Sequence, residues 1–156
     1  MGMLYTAQFN GVAVTAQQDL FELTAPSDCI VVVHQILLAQ TTEVGDAQEE
    51  GLSILVKRGA TTSGSGGSAP TPAPLEFGWA AAGSAVEVNN TTKASAGTIV
   101  TLHADAWNVR SSLLILPTPE LRIVLSPSQR LTVELATTPA DSITMNGTLY
   151  FEEIGG

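Results

Sequence analysis

Apolar residues recur along this chain in short runs, and the longest is Cys29-Ile-Val-Val-Val-His-Gln-Ile-Leu-Leu-Ala-Gln40. Its four successive β-branched residues, Ile30 to Val33, lose rotamer freedom in a helix but pack well on a pleated surface. The run therefore predicts a long central strand, and it is too short to cross a bilayer as a helix. So little alternation predicts cover on both of its faces, which requires a second layer packed over it. With every sheet face taken up in this way, no cleft for turnover is expected.

The pattern elsewhere is that of half-buried strands. Leu52, Ile54 and Val56 alternate with polar residues, and Leu131, Val133 and Leu135 alternate with Thr132 and Glu134. Further strand segments are predicted at 3–8, 12–15, 19–24, 84–90, 98–104, 113–116, 121–125 and 143–153. Asn10-Gly11 predicts a hairpin turn between the first two, and Leu20 beside Phe21 predicts a bulge in the third. Pro117 and Pro119 end pairing after Leu116. Residues 41–51 are acidic, with Glu43, Asp46, Glu49 and Glu50, but Gly45 and Gly51 weaken a helix there and a loop is expected. Roughly eight to ten strands without a helical period predict an all-β fold, a two-sheet antiparallel β-sandwich of jelly-roll type. An immunoglobulin-like sandwich ranks second, because the Cys, Trp and Cys arrangement is missing.

Residues 1–156 read as a single jelly-roll domain carrying a flexible Gly/Ser/Pro-rich loop at 59–74, with Ser63-Gly-Ser-Gly-Gly-Ser68 followed by Pro70, Pro72 and Pro74. The strands before this loop cannot close a two-layer core without those after it. Only 13% of residues are charged while 44% are hydrophobic, so the surface is covered by small polar residues or by partners. A net charge of −9 repels phosphate backbones and anionic lipid, so neither nucleic acid nor a membrane is an expected partner. The single Cys29 lies in the apolar run and reads as a small core residue. No basic segment precedes an apolar one at the start, so no secretory leader is expected.

Candidate chemistry is sparse, and the protein is not expected to be an enzyme or to need a cofactor. The two imidazoles, His34 and His103, each sit in a strand with apolar neighbours and read as strand histidines satisfied by a hydrogen bond. No spacing of Cys or His suggests a transition metal. The acidic stretch could hold a hard cation through oxygen ligands, yet it lacks the order of ligands that an EF-hand needs and reads as solvated. Trp107, with Asn108 and Arg110, reads either as a partner anchor of the type found at interface centres or as a residue buried in the end of the sandwich. Ser63, Gly64, Pro70 and Pro72 of the loop, and Glu43 and Asp46 of the acidic stretch, are the remaining candidate contact residues.

Several stretches resemble the capsid decoration, or cement, proteins of tailed bacteriophages that have a jelly-roll fold. They are Phe21, Val33-His-Gln-Ile-Leu-Leu-Ala-Gln-Thr-Thr-Glu-Val-Gly-Asp-Ala-Gln-Glu-Glu50, Lys57-Arg-Gly59, Trp107-Asn108 and Gly147-Thr-Leu-Tyr-Phe-Glu-Glu-Ile-Gly-Gly156. The resemblance implies a structural virion protein, made in the host cytoplasm and placed on the capsid surface. Its expected partners are the major capsid protein and further copies of itself, as a dimer or trimer. The alternatives are a receptor- or glycan-binding knob of a phage fibre, and a jelly-roll lectin or enzyme.

Overall fold

In the computed structural model, which describes residues 2–42 and 50–155, the alternating segments become strands of two facing antiparallel sheets. The chain runs β1 (Met3–Val14), β2 (Gln18–Thr24), β3 (Ile30–Gln40) and β4 (Gly51–Thr62). It continues through the short β5 (Ala73–Pro74), β6 (Ala85–Asn90) and the long β7 (Ser95–Asn108). The last strands are β8 (Leu113–Ile115), β9 (Ile123–Leu125), β10 (Arg130–Leu135) and β11 (Ile143–Ile154). One sheet has the order β5-β1-β11-β3-β8, with β9 also on β3, and the other has the order β6-β2-β10-β4-β7. Set β5 and β6 aside, and the paths β1-β11-β3-β8 and β2-β10-β4-β7 are those of a jelly roll. The segment between β4 and β7 supplies β5 and β6, which widen both sheets on the side of β1 and β2.

The core lies between the inner faces. Val31, Val33, Ile36 and Leu38 of β3 are buried there, opposite Leu52, Ile54 and Val56 of β4 and Leu131, Val133 and Leu135 of β10. Tyr5 stacks on Phe151 with ring centroids 5.7 Å apart, and Phe9 meets Phe21 of the facing sheet at 5.1 Å. Each such side chain contributes about 1.5–3 kcal/mol by leaving water, so this layer holds the sheets together.

Three expectations change. Asn10-Gly11 does not turn the chain: Phe9 pairs with Gly147 and Val12 with Met145, so the two residues bulge out of one continuous strand. Gly11 takes φ +67, and its N–H donates to Asn146 Oδ1 at 2.8 Å, which satisfies the bulge without reversing direction. The central strand is covered on its inner face only. On the outer side Val32, Leu37 and Ala39 are half-buried and Ile30 is exposed, because no second layer of described residues packs over that face. The bulge at His34, where Tyr150 pairs with Gln35 and Phe151 with Val33, lets inner-facing positions resume in phase after two polar residues.

The segment at 59–74 does not stand away from the sheets along its length. Residues 59–62 belong to β4, Ser65 bridges Thr92, Ser68 bridges Val88, and residues 73–74 form β5. It lies over the outer face of the second sheet, where Asp19, Glu22 and Glu134 are buried. Glu22 accepts from Ser63 Oγ at 2.6 Å, from the Gly64 N–H at 2.9 Å and from Arg130 Nε at 2.7 Å. Small residues let this backbone come close: a Cβ at Gly67 would lie 2.0 Å from the Val88 carbonyl oxygen.

Candidate interaction surface

The two sheets are closed along one side and open along the other. On the closed side β6 and β2 lie opposite β5 and β1; on the open side β7 faces β8 and β9. Strand β7 has fourteen residues and is exposed over nearly all of them. Among the described residues it pairs with β4 alone, so its second edge offers backbone donors and acceptors that no described strand takes up. Its partners opposite β8 and β9 are only three residues each, too short to cover it.

Sequence explains why. The strand that would face β7 is broken: β8 pairs with Ile36 to Leu38 and β9 with Val31 to Val33, with residues 116–122 looped out between them. Pro117 and Pro119 remove two ladder donors there, and Pro119–Leu121 forms a single 3₁₀ turn. Leu116 and Leu121 are carried into solvent, 63% and 72% exposed.

Between these elements runs a cleft of about 390 Å³. Ile115 and Ile123 form its floor, Leu102 one wall, and Leu114, Leu116 and Leu121 its outer rim. A cleft was not expected, since both sheet faces were read as filled; it exists because β8 and β9 end before β7 does. Elsewhere on β7 and β9, Ile99, Val100 and Val124 are also exposed; the exposed leucines that share the cleft are Leu102, Leu114, Leu116 and Leu121, an apolar patch of the kind that marks contact sites.

Two polar residues face the same cleft. His103 pairs with Val56 and Asp105 with Ile54, so both occupy inward positions of β7 and stand 3.7 Å apart. His103 Nε2 is buried without a hydrogen-bond partner, as is Nε of Arg122, which sits between the cleft residues Leu121 and Ile123. Among the described residues that line the cleft, none carries a hydroxyl or thiol. Among the described residues no three metal-ligating side chains converge. The cleft presents a mostly apolar lining beside the His103 and Asp105 pair. His34 has a different setting, with Nε2 2.9 Å from Glu152 Oε2 on the outer face of the first sheet.

The residues expected to make contacts are scattered. Trp107 is 1% exposed and belongs to the core; its Nε1 donates to the Ser111 carbonyl at 2.6 Å, so both its ring and its polar handle are used internally. Asn108 and Arg110 are exposed in the turn that follows, where Asn108 Oδ1 accepts from the Arg110 N–H. Ser63 and Gly64 hold the loop to Glu22, Pro70 is half-buried and Pro72 buried. Glu43 and Asp46 lie outside the described residues.

A second apolar feature stands on the closed side. Directly after β5, Leu75 is held by its N–H to the Leu4 carbonyl, and a tight turn follows in which the Trp79 N–H donates to the Glu76 carbonyl. This turn presents Phe77 fully to solvent and Leu75 half so. Neither this knob nor the open margin is visible in the hydrophobic pattern, since an exposed leucine and a buried one are spelled alike.

No family model and no curated protein matches the chain. Among solved structures it is similar to capsid chains of infectious bursal disease virus. With the IBDV viral particle it shares 14% identity at a TM-score of 0.17, over 98% of this chain and 39% of that one. With T=1 particles derived from the virus it shares 14% identity at a TM-score of 0.16, over 100% of this chain and 38% of that one. The chain thus spans about two fifths of the length of the chains it matches. TM-scores this low identify no shared fold, so function is read from the surface itself.

Proposed function

We propose that this chain is a structural virion protein, a capsid decoration subunit that binds the outside of a phage capsid and stabilises contacts between major capsid proteins. The observation that carries this reading is the open apolar margin along β7, β8 and β9. A chain with only 13% charged residues exposes Leu102, Leu114, Leu116 and Leu121 together around one cleft, which is costly in water and is relieved when a neighbour covers them. The residue patterns shared with decoration proteins point the same way. In this reading the protein turns over no substrate, is made in the host cytoplasm and is taken up on the capsid as a small homo-oligomer.

Mixing the purified protein with undecorated capsids and imaging them by electron microscopy tests it. Ordered extra density at junctions between capsid subunits is expected. Bare capsids at saturating, folded protein would sink the proposal. A glycan-binding knob is the second reading, favoured by the exposure of Phe77 with Trp79 two residues on. Binding on a glycan array without capsid binding would select it.

A further inference from the structure

We infer that two copies of this chain join by their β7 edges, antiparallel about a two-fold axis at Ala104, so that the β6-β2-β10-β4-β7 sheets of the two run on into one. The inference rests on the homo-oligomer in the proposed function, and its test needs no capsid, so the two can fail separately.

The chain covers one edge of this sheet itself. Beside β6, the Ser68 N–H donates to the Val88 carbonyl at 3.0 Å and the Val88 N–H to the Ser68 carbonyl at 2.8 Å. At the other edge β7 has no such cover among the described residues. Which of its backbone groups are left over follows from one hydrogen bond. The Val109 N–H donates to the Glu50 carbonyl at 3.2 Å, so Val109 turns toward β4. Direction alternates residue by residue, and the pairing is regular from Asn108 to His103. Trp107, Asp105 and His103 therefore also turn toward β4, while Ala106 and Ala104 turn outward. Ala106 shows what this edge lacks: its N–H is taken up by the side chain of its own neighbour, Asp105 Oδ1, at 2.8 Å.

One register meets these groups. With Ala104 opposite Ala104 of a second copy, the two exchange both of their hydrogen bonds. The Ala106 N–H then donates to the Leu102 carbonyl of the other copy, which shares a peptide with the inward His103 N–H and so points outward. His103 of each copy stands opposite Asp105 of the other, in the closer kind of pair, where Cα atoms are about 4.5 Å apart. An imidazole and a carboxylate directly across a ladder attract, and His103 Nε2, which lacks a hydrogen-bond partner within its own chain, gains one from the Asp105 side chain that Ala106 has released. Both residues hold inward positions of β7, so the exposed Leu102, Leu114, Leu116 and Leu121 of the two copies border the same seam. The irregular pairing at Leu102 and again between Val100 and Gly97 keeps the new ladder short. Because both copies use the same surface, the contact closes on itself and leaves no edge for a third.

Three measurements on the whole chain test this. In sedimentation velocity the wild type is expected to dimerise at micromolar concentration. Ala104→Pro, which removes an outward N–H and no bond to β4, should raise the dissociation constant at least about tenfold with an unchanged circular dichroism spectrum. His103→Asp, which sets like charges across the ladder, should also loosen the dimer, and adding Asp105→His should restore it. A short thiol-specific cross-linker reads the register without a proline: Ala104→Cys should join to itself, whereas Thr98→Cys, whose two copies would lie roughly 40 Å apart, should not. Cys29 is buried and stays silent. A wild type that stays monomeric, a folded Ala104→Pro variant that dimerises normally, no rescue by Asp105→His, or Thr98→Cys joined as readily as Ala104→Cys would each overturn the pairing. Capsid binding by a monomeric wild type would overturn it too, while leaving the capsid reading in place.

Discussion

At the scale of single residues, the polar groups under the 63–68 segment set the protein's response to pH. Burial holds the Asp19 carboxyl up to about 6, outweighing the Ala94 N–H that donates to it at 2.7 Å. Glu134 has the opposite balance: burial raises it, but Lys57 and Lys93 both reach its carboxylate and hold it below its ordinary value. The folded chain therefore keeps the Asp19 proton more tightly than the unfolded chain does. Its contribution is greatest below the ordinary value of 3.8 and is lost as pH rises through about 6. The Glu134 contribution runs the other way, present above 4.5 and lost as pH falls below it. Asp19→Asn keeps an acceptor for Ala94 and removes the first loss. Thermal denaturation of both proteins between pH 4 and 7 should show the variant gaining about 1–2 kcal/mol on the wild type as pH rises. A constant difference across that range would mean that Asp19 titrates normally.

Elements show why some of the fold could be read in advance and some could not. Strands β4 and β10 are spelled out by strict alternation, and the bulge at Leu20 follows from two adjacent apolar residues that must both reach the core. The length of β7 is hidden in the sequence, where the strand is predicted only at 98–104, whereas Ala96 and Gly97 belong to it as well. They are strand residues only because β4 extends to Thr62 and pairs with Ser95 and Gly97, a contact set by the facing segment. Trp107 reads as an interface anchor beside Arg110, since nothing local announces that Ser111 will return its carbonyl to the indole. The cleft depends on β8 and β9 being shorter than β7, a relation between distant segments that no local pattern contains. Gly59 tests how firmly the β4 to β7 pairing holds. It sits at φ +97 in an irregular stretch between Arg58 and Ala60, and a Cβ there would lie 2.1 Å from the Thr98 carbonyl oxygen. Gly59→Ala should cost about 3 kcal/mol and lower Tm by roughly 10 °C, whereas Gly51→Ala, with open space around it, should change little. Equal effects of the two variants would show that this pairing adds little to the fold.

For the whole molecule, two influences on association oppose each other. Each copy carries a net charge of −9, so copies repel at a distance, while the apolar margin around the cleft attracts only on contact. Salt screens the repulsion within about 10 Å at 0.1 M and leaves apolar burial almost untouched. The repulsion involves the whole charge of both partners, so its screening should dominate. Sedimentation at about 20 mM and about 300 mM sodium chloride is therefore expected to show a dissociation constant several-fold lower at the higher salt. If association instead loosened with salt, charge pairs would be holding the copies together, and the apolar margin would not be the centre of the contact.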